Sequence, residues 1–290
     1  MKCCPECFGD RGLSKEIIPG LLPEKGKCSF CGSENVQIVS PSQLAEYFEL
    51  LIGAYKKDPD GKLLVQLFRE DWRLFEHKKM DDPHAKELLA EILDDGEIVR
   101  ETFARAGNFE TDPLSEWEEL RDELMYKNRF FPKGKIKERV THLLPSLTLD
   151  SSDVPSSWFR ARIQLWEKPF DAVDMGAPPR RTASHGRANP VGIPYLYLAS
   201  TAPTAIAEVR PHAGELACVA SFETPSDLKF VDLRSPRRTV SPFLLLDAEA
   251  IQKLRNDLPF LERLGDELTR PVVHSRLQST TSRANTSAKS

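Results

Sequence analysis

Apolar positions recur at helical intervals through the first half of the chain and at strand-like intervals through much of the second. Behind Ser40-Pro41, which reads as an N-cap and first helical residue, Leu44, Tyr47, Phe48, Leu51, Ile52 and Tyr55 repeat at i, i+3, i+4, i+7, i+8 and i+11. Asp58-Pro59-Asp60-Gly61 reads as a turn. Leu63 to Phe75 predicts a second helix with Leu64, Leu67, Phe68 and Trp72 on one side. Asp82-Pro83 opens a third, carrying Leu88, Leu89, Ile92 and Leu93, and Asp112-Pro113 a fourth through Trp117, Leu120, Leu124 and Met125. Asn128-Arg129-Phe130-Phe131-Pro132 breaks that helix, and Ile136 to Leu144 is a short fifth. Such stripes form a core, and no internal repeat is evident.

After a Ser/Asp/Pro-containing linker at 145–155, the period changes. Tyr195–Ala199, bounded by turn residues and rich in aromatics, predicts a strand. Thr201-Ala202-Pro203 starts a helix through Ala205, Ile206, Glu208 and Val209. Glu215–Glu223 alternates apolar and polar, and Leu228–Leu233 is a plausible next strand. The fold class is therefore α+β. The expected parts are a small cysteine module (1–35), an all-α helical domain (36–150), a mixed α/β domain (151–273) and a tail (274–290).

The first part carries the clearest chemistry. Five of six cysteines lie in the first 31 residues. Cys4 and Cys7 form one C-x-x-C pair, and Cys28 and Cys31 form another, followed by Gly32. The twenty intervening residues fit zinc-ribbon spacing, because each turn offers two thiolates and two turns complete a tetrahedron. The expected ion is a structural Zn2+, since four thiolates leave no open position for catalysis. Disulfides are the alternative, and Cys3 is a possible substitute for Cys4. Cys218 stands alone and reads as a small core residue.

Composition narrows the class. Apolar residues make up 40% and charged residues 29%, which excludes collagen-like, wholly disordered and membrane-embedded chains. A net charge of −4, from 44 acidic and 40 basic residues, gives no global attraction for nucleic acid. No run of about 18 apolar residues is present, so no membrane partner is expected. Met1-Lys2-Cys3-Cys4 lacks the apolar stretch of a signal peptide, so a cytoplasmic location is expected.

Three motifs then point to one family. They are Phe-Arg-Ala-Arg at 159–162, the Gly-Arg-x-Asn-x-x-Gly-x-Pro-x-x-Tyr-x-Ala-like run at 186–199, and Thr-Ala-x-x-Glu at 204–208. Ten positions separate Arg187 from Tyr197, and eleven more lead to Glu208. In these motifs the chain resembles the RES-domain family. The paired cysteines and helical segment ending in Asn-Arg-Phe-Phe-Pro resemble a RES-associated extension related to the helical HEPN group. The resemblance implies a fold similar to ADP-ribosyltransferases, NAD as substrate, and a toxin neutralised by an antitoxin protein. It implies that Arg187 contacts the dinucleotide phosphates, Tyr197 stacks on nicotinamide and Glu208 assists cleavage of the N-glycosidic bond. Arg160 and Arg162 are secondary phosphate-binding candidates. The absence of G-x-G-x-x-G and Walker motifs fits NAD as a substrate rather than a hydride carrier.

Past Val272 the sequence departs from the family pattern. The segment from His274 to Ser290 lacks aromatics, Val, Ile and acids, and reads as a disordered, truncated or replaced C-terminus. Ser279 and Ser282 lack the flanking residues of the family Ser. Loss of a sheet strand there would remove one wall of the NAD pocket. Two other readings stand beside the enzyme. One is a non-catalytic module binding nucleic acid or protein, with Arg129, Lys133, Lys135, Lys137 and Arg139 as a local basic run beside Phe130 and Phe131. The other is a ribonuclease using Arg73 and His77, four apart on a helix face.

Overall fold

The computed structural model describes residues 1–107, 118, 141, 143–164, 167–183 and 191–269. The fourth expected helix apart from Glu118, most of the fifth, the basic run at 129–139, Arg187 and the tail from 270 lie outside the described residues.

The chain begins with a short helix, α1 (Pro5–Phe8). A π-helical turn at Leu13–Ile17 then leads into α2 (Ile18–Gly20). β1 (Glu24–Gly26) pairs antiparallel with β2 (Val36–Ile38). Ser40 and Gln43 form a capping box in which Gln43 Oε1 accepts from Ser40 N at 3.0 Å. The tight turn Pro41–Leu44 then feeds α3 (Ala45–Ile52), with Phe48 and Leu51 buried. α4 (Leu64–Trp72) and α5 (Asp82–Leu93) follow, the latter capped by Asp81, whose carboxylate accepts from His84 N.

Two expectations for this region are corrected. The segment 36–150 is not all-α, because β3 (Tyr55–Leu63) pairs antiparallel with β4 (Thr102–Arg105). Tyr55 starts this strand instead of extending α3. Asp58-Pro59-Asp60-Gly61 is a bulged excursion within β3, since Lys57 and Lys62 both face Phe103. Gly61 is required there: a Cβ would lie 2.2 Å from the Phe103 carbonyl oxygen. Nor do Arg73 and His77 share a helix face. Arg73 ends α4 in the left-handed region, at φ 60°, and Phe75 repeats that conformation.

The main core is one continuous cluster reaching from Cys3 to Leu261. Phe8, Phe48, Phe68 and Phe75 are wholly buried, and Phe48 sits 4.9 Å, centroid to centroid, from Phe243. The later residues enter from α7 (Pro236–Thr239), the turn Pro242–Leu244 and the long helix α8 (Ala248–Thr269). Val240, Phe243, Ile251, Leu254, Leu258, Phe260 and Leu261 all bury in the cluster built by the first hundred residues. Polar ties reinforce the packing. Arg255, buried, donates to the carbonyls of Ala54 (2.8 Å) and Ala106 (2.6 Å) and lies 5.0 Å over the Tyr55 ring. The Tyr55 hydroxyl donates to Asp71 at 2.9 Å and accepts from Trp72 Nε1 at 2.9 Å, while Arg105 clamps Asp71. Burial, then the Asp71 charge, pushes the Tyr55 phenol well above its ordinary value. Asp10 Oδ1 accepts from Leu13 N and Ser241 Oγ, both at 2.8 Å, which joins the cysteine module to the segment before Phe243.

The remaining strands build a thinner layer. β5 (Thr148–Asp150) pairs with β8 (Lys229–Val231), and β6 (Ser157–Ile163) pairs along its length with β7 (Ala217–Glu223). α6 (Ala202–Val209) packs on β6 and is capped by Thr201, whose hydroxyl accepts from Thr204 N at 3.2 Å. The strand expected over Tyr195–Ala199 is reduced to Ala199, which exchanges backbone hydrogen bonds with Phe159 at 2.7 and 2.8 Å. Arg11 ties this layer to the main core by donating to the Thr148 carbonyl and pairing with Asp153. No helix among the described residues is long and apolar enough to cross a membrane.

Candidate functional site

The four cysteines predicted from spacing converge. The sulfurs of Cys4, Cys7, Cys28 and Cys31 all lie within 4.8 Å of one another and are buried. Cys4 is 3.4 Å from Cys31 and Cys7 is 3.3 Å from Cys28. Each C-x-x-C turn closes with a positive-φ glycine: Gly9 at 70° donates to Pro5 O, and Gly32 at 72° donates to Cys28 O. Hydrogen bonds between the sulfurs set opposed tendencies. Those from Cys4 and Cys7 drive Cys28 far below the usual thiol range, while the bonds to Cys28 drive Cys4 and Cys7 far above it. A divalent ion between the four sulfurs would satisfy them all. The donor set fits a structural metal. Cys3 stays outside the four: it bridges Val39, and burial pushes its thiol up to about 12. Cys218 is half-buried on β7, with its sulfur 3.3 Å from Gln164 Oε1.

The second site is a cleft of about 360 Å3 between β6, the 197–199 segment and α6. Its lining includes Arg160, Tyr197, Thr204 and Glu208, with Phe159 and Ala205 as apolar walls. Each element brings its residue for a local reason. The β6 pleat sets Arg160 and Arg162 two apart on one face. The Thr201 cap starts α6 so that Thr204 and Glu208, one helical turn apart, fall on one side. The Phe159–Ala199 bridge holds the segment bearing Tyr197 against β6. Tyr197 and Glu208 are both exposed at the cleft.

Arg160 and Arg162 share one acceptor, donating to the Gly176 carbonyl at 2.5 and 3.1 Å. Arg162 also lies 5.7 Å over the Phe170 ring and is not part of the cleft lining. Burial, then the neighbouring Arg162 charge, lowers the Arg160 pKa from its ordinary value. An anion in the cleft would offset both effects. Of the residues expected from sequence, Tyr197, Glu208 and Arg160 are brought together, Arg162 lies beside them, and Arg187 is outside the described residues. Thr204 was missed as a lining residue, although its spacing of four from Glu208 was visible.

The chain was compared with known protein families. Residues 157–283 match the model of the RES domain family. The match begins at the first residue of β6, so every residue lining the cleft falls within it. No curated protein and no solved structure matches the chain.

Proposed function

Because the chain carries a RES domain, a family associated with NAD-related toxins, we propose that it consumes NAD by cleaving the bond between nicotinamide and ribose. The observation that carries this reading is the convergence of Arg160, Tyr197 and Glu208, from three separate segments, on one cleft. In this reading the Tyr197 ring binds the cationic pyridinium. The C1′–N bond breaks with its electron pair passing to the ring, and nicotinamide leaves neutral. The ribose carbon becomes oxocarbenium-like, and the Glu208 carboxylate stabilises that positive charge and holds the ribose hydroxyls. Water then adds at C1′ and releases a proton, or another small nucleophile or a macromolecule accepts the ADP-ribosyl group. Arg187 holds the diphosphate in bidentate fashion, with Arg160 in the cleft and Arg162 beside it as secondary contacts.

The proposal extends to the architecture. Residues 1–35 form a zinc ribbon, with Zn2+ held by Cys4, Cys7, Cys28 and Cys31 as a purely structural ion. Residues 36–150 form a HEPN-like attachment. The 151–273 region resembles an ADP-ribosyltransferase, works in the cytoplasm, and is neutralised by an antitoxin protein.

The test is nicotinamide release from NAD by the purified chain. Glu208→Gln, a near-isosteric change at an exposed position, is expected to lower kcat by about 10²–10³-fold, the size of loss seen when one charge-stabilising group is removed. Absence of release, or equal rates for variant and parent, overturns the proposal.

A further inference from the structure

A second cleft, of about 590 Å3, lies where the end of α4, α7 and α8 meet, and five arginines line it: Arg73, Arg234, Arg237, Arg238 and Arg263. Its other charged lining residues are two carboxylates, Glu262 and Asp266. It shares no lining residue with the Tyr197–Glu208 cleft. We infer that this cleft binds a small phosphate-rich anion, an oligophosphate either free or carried by a nucleotide.

The hydrogen bonds show how the positive charge is arranged. Arg237 is the anchor. It is held by Glu262 through Nε at 2.7 Å and Nη2 at 3.2 Å, and by the Glu70 and Asp71 carbonyls at the end of α4. Arg73 and Arg238 share one carboxylate, Glu76, at 3.2 and 2.9 Å. Arg234 is clamped by Asp232 at 2.8 and 2.9 Å. Arg263 is exposed and has no ion-pair partner among the described residues. Five arginines thus meet four carboxylates, Glu76, Asp232, Glu262 and Asp266, and a multivalent anion would complement the positive charge that is left over.

Residue type and volume select the ligand. Guanidinium forks match phosphate oxygens in pairs, which ammonium groups do not. The volume lies within the range of small-molecule sites, roughly 300–1,000 Å3. The lining contains no aromatic ring, so it lacks the stacking platform with which single-stranded nucleic acid is usually gripped. Recognition then rests on the phosphates alone.

The experiment is calorimetric titration of the full chain with inorganic tripolyphosphate, adenosine triphosphate and a single-stranded oligonucleotide. Tripolyphosphate and the nucleotide are expected to bind within a few-fold of each other, with affinity falling as salt rises. Arg234→Gln with Arg263→Gln removes two exposed cations and is expected to weaken tripolyphosphate binding about tenfold or more. Arg263→Glu alone, at a residue with no partner to lose, serves as the second variant and is also expected to weaken binding. Melting temperature without ligand is the folding control. Arg160→Ala, in the other cleft, is expected to leave tripolyphosphate affinity unchanged, which separates this site from the NAD proposal. The inference is overturned by absence of tripolyphosphate binding, by equal affinity in the arginine variants, by loss in Arg160→Ala only, or by binding of the oligonucleotide alone.

Discussion

Asp10 offers a test of how the cysteine module is joined to the rest of the core. Its carboxylate is buried and accepts two hydrogen bonds, from Leu13 N and Ser241 Oγ. Burial outweighs both, so the carboxyl is pushed up to about 6 from the ordinary 3.8. A carboxyl raised in the folded state binds its proton more tightly there than in the unfolded chain. Its contribution to stability is therefore complete below the unfolded pKa and declines as pH rises through the folded one. With those two values, the cost of burying Asp10 grows by roughly 1.5 kcal/mol between pH 5 and pH 8. Asp10→Asn keeps an oxygen acceptor and removes the titration. Urea unfolding of variant and parent at a series of pH values isolates the term, because any pH effect on the cysteine site is common to both chains. The variant is expected to gain stability relative to the parent with rising pH, by about that amount. A difference that stays flat or declines as pH rises would refute the reasoning.

Other outcomes follow from the same core. Phe243→Ala removes a ring packed against Phe48 in a closed cluster, and is expected to cost about 3–5 kcal/mol in denaturant unfolding. A loss under about 1 kcal/mol would show that the 240–261 segment is not integral to this core. For the cysteine cluster, elemental analysis is expected to find one zinc per chain. Removing it with a chelator, or Cys28→Ser, is expected to lower Tm by roughly 10 °C or more, and an unchanged melt would contradict a structural ion.

The parts legible in the sequence are those whose physics is local. The spacing of Cys4, Cys7, Cys28 and Cys31 announced the cluster, because a knuckle needs only a few residues to place two sulfurs. Ser40-Pro41, Asp82-Pro83 and Thr201-Ala202-Pro203 marked helix starts correctly, because a cap is a contact between neighbours. Tyr197 and Glu208 were legible as a pair through a family spacing, and the cleft they line follows from a helix resting on β6. What stayed hidden depends on distant partners. Lys56-Lys57-Asp58-Pro59-Asp60-Gly61 has the polar content of a loop, yet it belongs to a strand because Phe103 and its neighbours pair with it. Arg234, Arg237 and Arg238 meet Arg73 and Arg263 only because α7 and α8 come together at the end of α4. Nothing in the periodicity of α8 says which apolar surface it covers. That it packs against α3 is a fact of tertiary packing alone.

This last arrangement bears on how the protein is born. As the ribosome delivers the chain in order, α3 and α4 emerge long before Phe243, Ile251, Leu258 and Leu261 have been synthesised. The nascent helices must wait with one oily flank open to solvent, since the residues that seal it lie some two hundred positions downstream. A chaperone would find its footing on that flank during translation, and a message interrupted before α8 would yield a product with a cysteine cluster but no closed interior.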